Sequence, residues 1–200
     1  MSNLSDVVGG ANMYNGTNYN FDYDRFCKAY SAIRFSSGYL QVPPGIYFSG
    51  DFTITAWIYL LPQQSSRIID FGNGPNSNNI LFAIPGLSVH IYRNSSNRQT
   101  GSTSLNLNKW YHAAFVLNGV NGSVYVNGYL ASRSVLHTPV NVTRNLNYIG
   151  KSNWNNPNAY AIFDDLKIYQ GALSETQILD DFKLSSNNGL LKNFNINKIY

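Results

Sequence analysis

Two hundred residues with 44% hydrophobic side chains are enough for one domain with a filled core, which excludes a disordered chain. Charged residues make up only 12% and sum to a net charge of +4. No two Lys or Arg are adjacent, so the phosphate tracking of a nucleic-acid binder is not expected. Asparagine, with 28 copies, and tyrosine, with 15, replace the charges, giving a surface of amides and phenols that hydrogen-bonds and stacks but steers ions weakly.

The chain opens on MSNLSDVVGG, which has neither the basic nor the apolar region of a signal peptide. No run reaches the roughly 18 apolar residues of a membrane helix, so membrane insertion is not expected. Cys27 is the single cysteine, leaving no intrachain disulfide and no thiolate zinc site. The Asn-x-Ser/Thr sequons at Asn3, Asn15, Asn94, Asn121 and Asn141 are no more frequent than this composition gives by chance.

In chain order, the early segment holding Asp22 and Asp24 reads as irregular. SAIRF (31–35) and YLQV (39–42) read as two strands of a hairpin turning on Ser-Ser-Gly. FTITAWIYL (52–60) alternates Phe52, Ile54, Ala56 and Ile58 against Thr53, Thr55, Trp57 and Tyr59, a strand whose two faces can both pack. RIIDFG, NILFAI, LSVHIY and RQTGSTSL follow, parted by Gly, Pro and Asn. WYHAAFVLN, GSVYVNG and YLASRSV come next, and Asn127-Gly128 suits a type I′ turn because both residues tolerate positive φ. LNYIG and AIFDDLKIY complete the set. Ser174 and Gln177 form a capping-box pattern ahead of Ile178, Leu179 and Phe182, which predicts one helix.

A dozen short strands and one short C-terminal helix predict an all-β chain, a two-sheet antiparallel β-sandwich. The predicted domain spans residues 1–184. Residues 185–200 form a tail that reads as an extra strand, a contact segment or a disordered end.

FTITAWIYL, KWYHAAFVLNGVNGSVYVNG and IFDDLKIYQGALSETQI, in this order and spacing, resemble the laminin G-like, concanavalin A-like jelly-roll family over about residues 30–182. The resemblance implies a jelly roll and a module that binds sugars, proteins or matrix components, often through rim loops and sometimes through Ca²⁺. The sequence does not fix the compartment; an extracellular, surface or virion-associated setting is the favoured expectation. The fold does not fix the function, since the same sandwich hosts glycosidases.

Glycoside hydrolysis needs two carboxyl groups flanking the scissile bond. Glu175 is the single glutamate and sits in the first turn of the predicted helix, where it complements the dipole. Asp164 and Asp165 are adjacent, so a regular strand would point them to opposite faces. No Gly-x-Ser-x-Gly elbow is present. His112 reads as scaffold, and His90 and His137 as surface residues. The chain is therefore expected not to be an enzyme.

Ca²⁺ is the one cofactor the resemblance suggests, through Asp164 of the closing strand with Asp22 or Asp24 as a second carboxylate. Ala161 stands where the family usually has Gly, which counts against it. For recognition, the loops GNGPNSNN (72–79) and KSNWNNPN (151–158) combine an aromatic face with amides, the groups that meet a sugar ring and its hydroxyls. Trp154, Asn153, Asn155, Asn73 and Asn76 are the expected ligand-binding residues; the alternative for Trp154 is to fold back over the core.

The sequence thus predicts a non-catalytic recognition module with a glycan as the preferred partner. The runner-up is a structural or adhesive protein-binding module of a surface or virion assembly, with a surface or matrix protein as partner and open to homo-oligomers through edge strands or tail.

Overall fold

The computed structural model describes residues 3–6, 8–62 and 65–187. Its strands are β1 (Tyr14–Asp22), β2 (Ala32–Val42), β3 (Phe52–Leu60), β4 (Ser66–Gly72), β5 (Ile80–Ile84), β6 (Gly86–Arg93) and β7 (Ser96–Gln99). They continue with β8 (Thr103–Ser104), β9 (Trp110–Asn118), β10 (Asn121–Val126), β11 (Tyr129–Val135), β12 (Leu146–Ile149) and β13 (Ala159–Gln170), followed by helix α1 (Glu175–Asn187). All described pairings are antiparallel, in the order β11-β10-β9-β3-β13-β2-β12-β4-β5-β6-β7, with β1 on β2 and β8 on β6. The jelly roll implied by the sequence is present.

β2 joins the two layers. Its first half pairs with β13 and its second half with β12, so one strand passes from one sheet to the other. Ser36-Ser37-Gly38 is therefore a bend within a strand and not the turn of a hairpin, with Ser37 at φ 58. Gly38 is required there because β1 crosses so closely that a Cβ would lie 2.2 Å from the Asn18 carbonyl oxygen. The segment read as irregular is mostly strand β1, while Asp24 lies in the turn beyond it.

Between the layers the inward side chains interlock. Phe52, Ile54, Ala56 and Ile58 of β3 share one buried core with Phe82, Val89 and Ile91 of the opposite sheet. Phe115 of β9 bridges the layers, 5.4 Å from the Phe52 ring and 6.5 Å from the Phe82 ring. The Asn127-Gly128 turn has φ of 51 and 82, as a type I′ turn demands. On the opposite edge the segment read as one strand over RQTGSTSL divides into β7 and β8.

Helix α1 covers the outer face of β3, β9 and β13, which is why both faces of β3 are buried. Its capping box is formed: Gln177 N–H donates to Ser174 Oγ at 3.2 Å and Ser174 N–H to Gln177 Oε1 at 2.8 Å. An isolated helix of this length is marginal, so docking holds it. Ile178 is buried against Ala114, Val116 and Tyr125, a gain of about 1.5–3 kcal/mol. Trp57 Nε1–H donates to Ser185 Oγ at 2.9 Å. The helix runs to Asn187, so the boundary expected at residue 185 falls inside it. The rest of the expected tail, 188–200, lies outside the described residues.

Candidate functional site

The outer face of β4, β5 and β6 follows from strand alternation. Ile80, Phe82 and Ile84 point into the core, which sends Leu81 outward; Val89 and Ile91 point inward, which sends His90 and Tyr92 outward. The β12–β13 connection, residues 151–158, folds over this face and borders an open cleft of about 330 Å³. Its lining is Arg67, Leu81, His90 and Tyr92 from the strands, with Trp154, Asn155 and Asn156 from the loop.

Asp70 of β4 pins the loop from below. Its carboxylate is fully buried and accepts Asn153 N–H at 2.8 Å on Oδ2, with Asn153 Nδ2–H and Asn79 Nδ2–H each at 2.9 Å on Oδ1. Burial pushes this carboxyl above the usual range, and the amide hydrogen bonds from Asn153 and Asn79 pull it part of the way back. Because Asn79 closes the 73–79 turn and Asn153 opens the 151–158 loop, one carboxylate sets the position of both. Ser152 Oγ then donates to Asn156 Oδ1 at 3.0 Å and accepts Trp154 N–H at 3.1 Å. These bonds hold the Trp154 ring 5.1 Å from that of Tyr92, inclined by 44°.

The floor is electrostatically simple. Arg67 Nη1–H donates to Ser66 O at 3.0 Å and Nη2–H to Asn156 Oδ1 at 3.2 Å, while the buried Nε has no partner. Burial and the neighbouring Arg67 charge pull the His90 imidazole down to about 4, so it is neutral at physiological pH. It lies 3.3 Å from both Ser88 Oγ and Asn97 Nδ2. Burial raises the Tyr92 phenol, which stays a neutral donor. No carboxylate is among the lining residues. The cleft offers two rings, amides, a guanidinium and a neutral imidazole, which can bind but include no acid–base pair for glycoside cleavage.

The sequence-expected residues divide. Trp154 and Asn155 line the cleft, and Asn153 lies behind it, tied to Asp70. Asn73 and Asn76 are not part of the lining. Asn73 is occupied with Thr143 O at 2.9 Å and Asn145 N–H at 2.8 Å, and Asn76 supplies a positive-φ turn residue. Trp154 is half-buried, its ring packed against Tyr92. Arg67, His90, Tyr92 and Asn156 were not singled out as ligand residues. The outward register of β6 was the one available signal for His90 and Tyr92.

The expected calcium carboxylates each have a protein partner. Arg25 bridges Asp164 at 2.5 Å and Asp165 at 2.7 Å and also lies over the Trp57 ring. Asp165 reaches the same guanidinium as its neighbour because the strand bulges there, with Asp165 at φ 47. Asp22 pairs with Arg34, and Asp24 accepts the amides of Phe26 and Lys28 at 2.9 and 3.0 Å. Among the described residues no three His, Cys, Asp or Glu side chains converge. With a guanidinium between the two closing-strand carboxylates, this set does not fit a Ca²⁺ ion. His112 is buried under α1, its Nε2 3.1 Å from Asp181 Oδ2, and has no access to a substrate.

The family described as the concanavalin A-like lectin/glucanases superfamily matches residues 35–179. No curated protein sequence aligns significantly with the chain. Among solved structures it is similar to domain 4 of AbnA, a GH43 extracellular arabinanase from Geobacillus stearothermophilus, in complex with arabinotriose. That likeness has a TM-score of 0.71 at 19% identity over 90% of this chain and 92% of that one. The binding domain of Paraclostridial Mosquitocidal Protein 1 gives 0.72 at 21% identity over 93% of this chain and 50% of that one. The Botulinum neurotoxin serotype G binding domain gives 0.69 at 15% identity over 92% and 49%. The chain spans about half the length of each toxin domain.

Proposed function

Since the chain belongs to the concanavalin A-like lectin/glucanase superfamily, we propose that it is a non-catalytic binding module whose Trp154 cleft takes a carbohydrate. The observation that carries this reading is the pairing of Trp154 with Tyr92 beside the Asn155 and Asn156 amides, over a cleft of about 330 Å³. Ring faces meet the apolar side of a sugar and amides meet its hydroxyls. The volume lies at the lower end of ligand sites, about 300–1,000 Å³, and matches one or two sugar residues. The absence of a carboxylate among the lining residues supports binding without hydrolysis. The arabinotriose complex of AbnA domain 4 supports the same reading for this fold.

On a glycan array followed by titration of the strongest hit, Trp154→Ala should weaken binding about thirtyfold while the melting temperature stays close to that of the wild type. Indistinguishable array signals from the two proteins would remove Trp154 from the site. A second reading, a module that engages protein, is favoured by the exposed apolar residues Tyr129, Leu130 and Val135 on the strand that ends the sheet order. A chain that binds no glycan and forms a stable oligomer in light scattering would favour that reading.

A further inference from the structure

We infer that the cleft selects a sugar bearing a carboxylate, with Arg67 holding the acid group while the ring rests on Trp154 and Tyr92. This rests on the carbohydrate reading of the same cleft and adds the charge class of the ligand. Arg67 is the one permanent cation among the lining residues, and no lining carboxylate answers it. Among the described residues it makes no salt bridge, although the other two half-buried arginines, Arg25 and Arg34, each have one.

A guanidinium has five N–H donors. Two are matched, on Ser66 O at 3.0 Å and on Asn156 Oδ1 at 3.2 Å, and Nε is buried with no acceptor. Buried donors are nearly always paired, so an orphan on a residue that lines the cleft points to an acceptor brought from outside, which reaches Nε once Asn156 moves off the same edge. Asp70 does not supply it. Its field acts on Arg67, but its own oxygens are taken by Asn79 and Asn153.

Nε and Nη2 form one edge of the guanidinium fork, the edge that carboxylates take with two parallel hydrogen bonds. Asn156 Oδ1 occupies half of that edge as a neutral acceptor and is also bonded by Ser152 Oγ. A ligand carboxylate replaces this neutral bond with charge-assisted ones and fills the empty Nε–H. The neutral His90 beside it adds no competing charge.

Calorimetric titrations test this with trigalacturonate against its methyl ester, and 3′-sialyllactose against lactose, which separates uronate from sialate sources of the acid group. On the wild type, one acid should bind about tenfold or more tighter than its neutral counterpart, and the preference should shrink as salt rises. Arg67→Gln should bring that ratio to about one while neutral binding persists, and Arg67→Lys should retain part of it. If Arg67→Gln does not fold, the Lys variant and the wild-type salt dependence carry the test. Acid and neutral sugars binding the wild type equally, or a preference that survives in Arg67→Gln, would overturn the inference and leave the carbohydrate reading standing. No binding of any sugar, acid or neutral, would overturn both.

Discussion

Replacing Arg144 by methionine should cost about 4 kcal/mol or more of folding stability, read as a fall in the urea midpoint at an unchanged slope. Arg144 is fully buried. Its Nε–H donates to Asn78 O at 3.0 Å, Nη1–H to Phe48 O at 3.3 Å and Nη2–H to Val140 O at 3.2 Å, with the Phe48 ring centroid 5.7 Å away. The charge is met by carbonyl dipoles, and burial pulls the guanidinium down to about 10, still protonated at neutral pH. Methionine fills much of the volume but leaves the buried Phe48 carbonyl and the half-buried Asn78 and Val140 carbonyls without this donor, at up to about 1–3 kcal/mol each. Because the bonds tie residues 48, 78 and 140 together, the same substitution should loosen the 73–79 turn beside the cleft. A midpoint within about 1 kcal/mol of the wild type would show that the carbonyls find other donors.

Asp181→Ala should cost about 3 kcal/mol and release helix α1 from the sheet, seen as a change in the fluorescence of Trp57 along with the denaturation midpoint. Asp181 lies on the sheet-facing side of helix α1, between Lys167 Nζ at 2.5 Å and His112 Nε2 at 3.1 Å. Burial alone would raise its carboxyl, but the His112 hydrogen bond and the Lys167 ammonium outweigh it and hold the group well below the usual carboxylate range. A carboxyl depressed in the folded state adds stability that is complete above its unfolded pKa, about 3.9, and is lost as pH falls below that value. Asp70, raised by burial, works in the opposite sense and in a different window: its contribution grows as pH falls toward the unfolded value and is complete below it, so it does not offset the loss from Asp181. Asp181→Asn should therefore flatten the loss of stability between about pH 4 and pH 2. An unchanged acid limb would exclude Asp181 as its source.

The fold was legible because its signals are local. The alternation in 52–60, the Asn127-Gly128 turn and the Ser174–Gln177 capping box each declare themselves within a few residues. β1 was missed because its Asn- and Tyr-rich pattern is exposed over most of its length and shows no apolar alternation. The Ser-Ser-Gly bend was misread for a related reason. Only the partners of β2, one in each sheet, distinguish a corner from a hairpin, and those partners lie more than a hundred residues away.

The candidate site was half legible. Trp154 and Asn155 stand out because an aromatic ring among loop amides has few intramolecular uses. Arg67, His90 and Tyr92 are ordinary outward positions of strands until a loop some sixty to ninety residues downstream covers them. Asp70 is hidden inside the apolar run RIIDFG, and nothing in NVTRNLN marks Arg144 as a buried cation. The calcium expectation came from the resemblance, which puts a carboxylate at Asp164 of the closing strand, and no local pattern shows that Arg25 reaches both Asp164 and Asp165.

The chain has three tryptophans, so a ¹⁵N-labelled sample shows three indole N–H signals, from Trp57, Trp110 and Trp154. Trp57 donates to Ser185 and is covered by α1, which makes its signal an internal reference. Arabinotriose and trigalacturonate are added in turn, and the three signals are followed to saturation. The Trp154 signal should move with a single saturable curve for at least one of these sugars while those of Trp57 and Trp110 stay in place. A Trp154 signal that remains fixed with both sugars, or saturable shifts that map away from the β4–β6 face, would contradict the assignment of this cleft as the binding site.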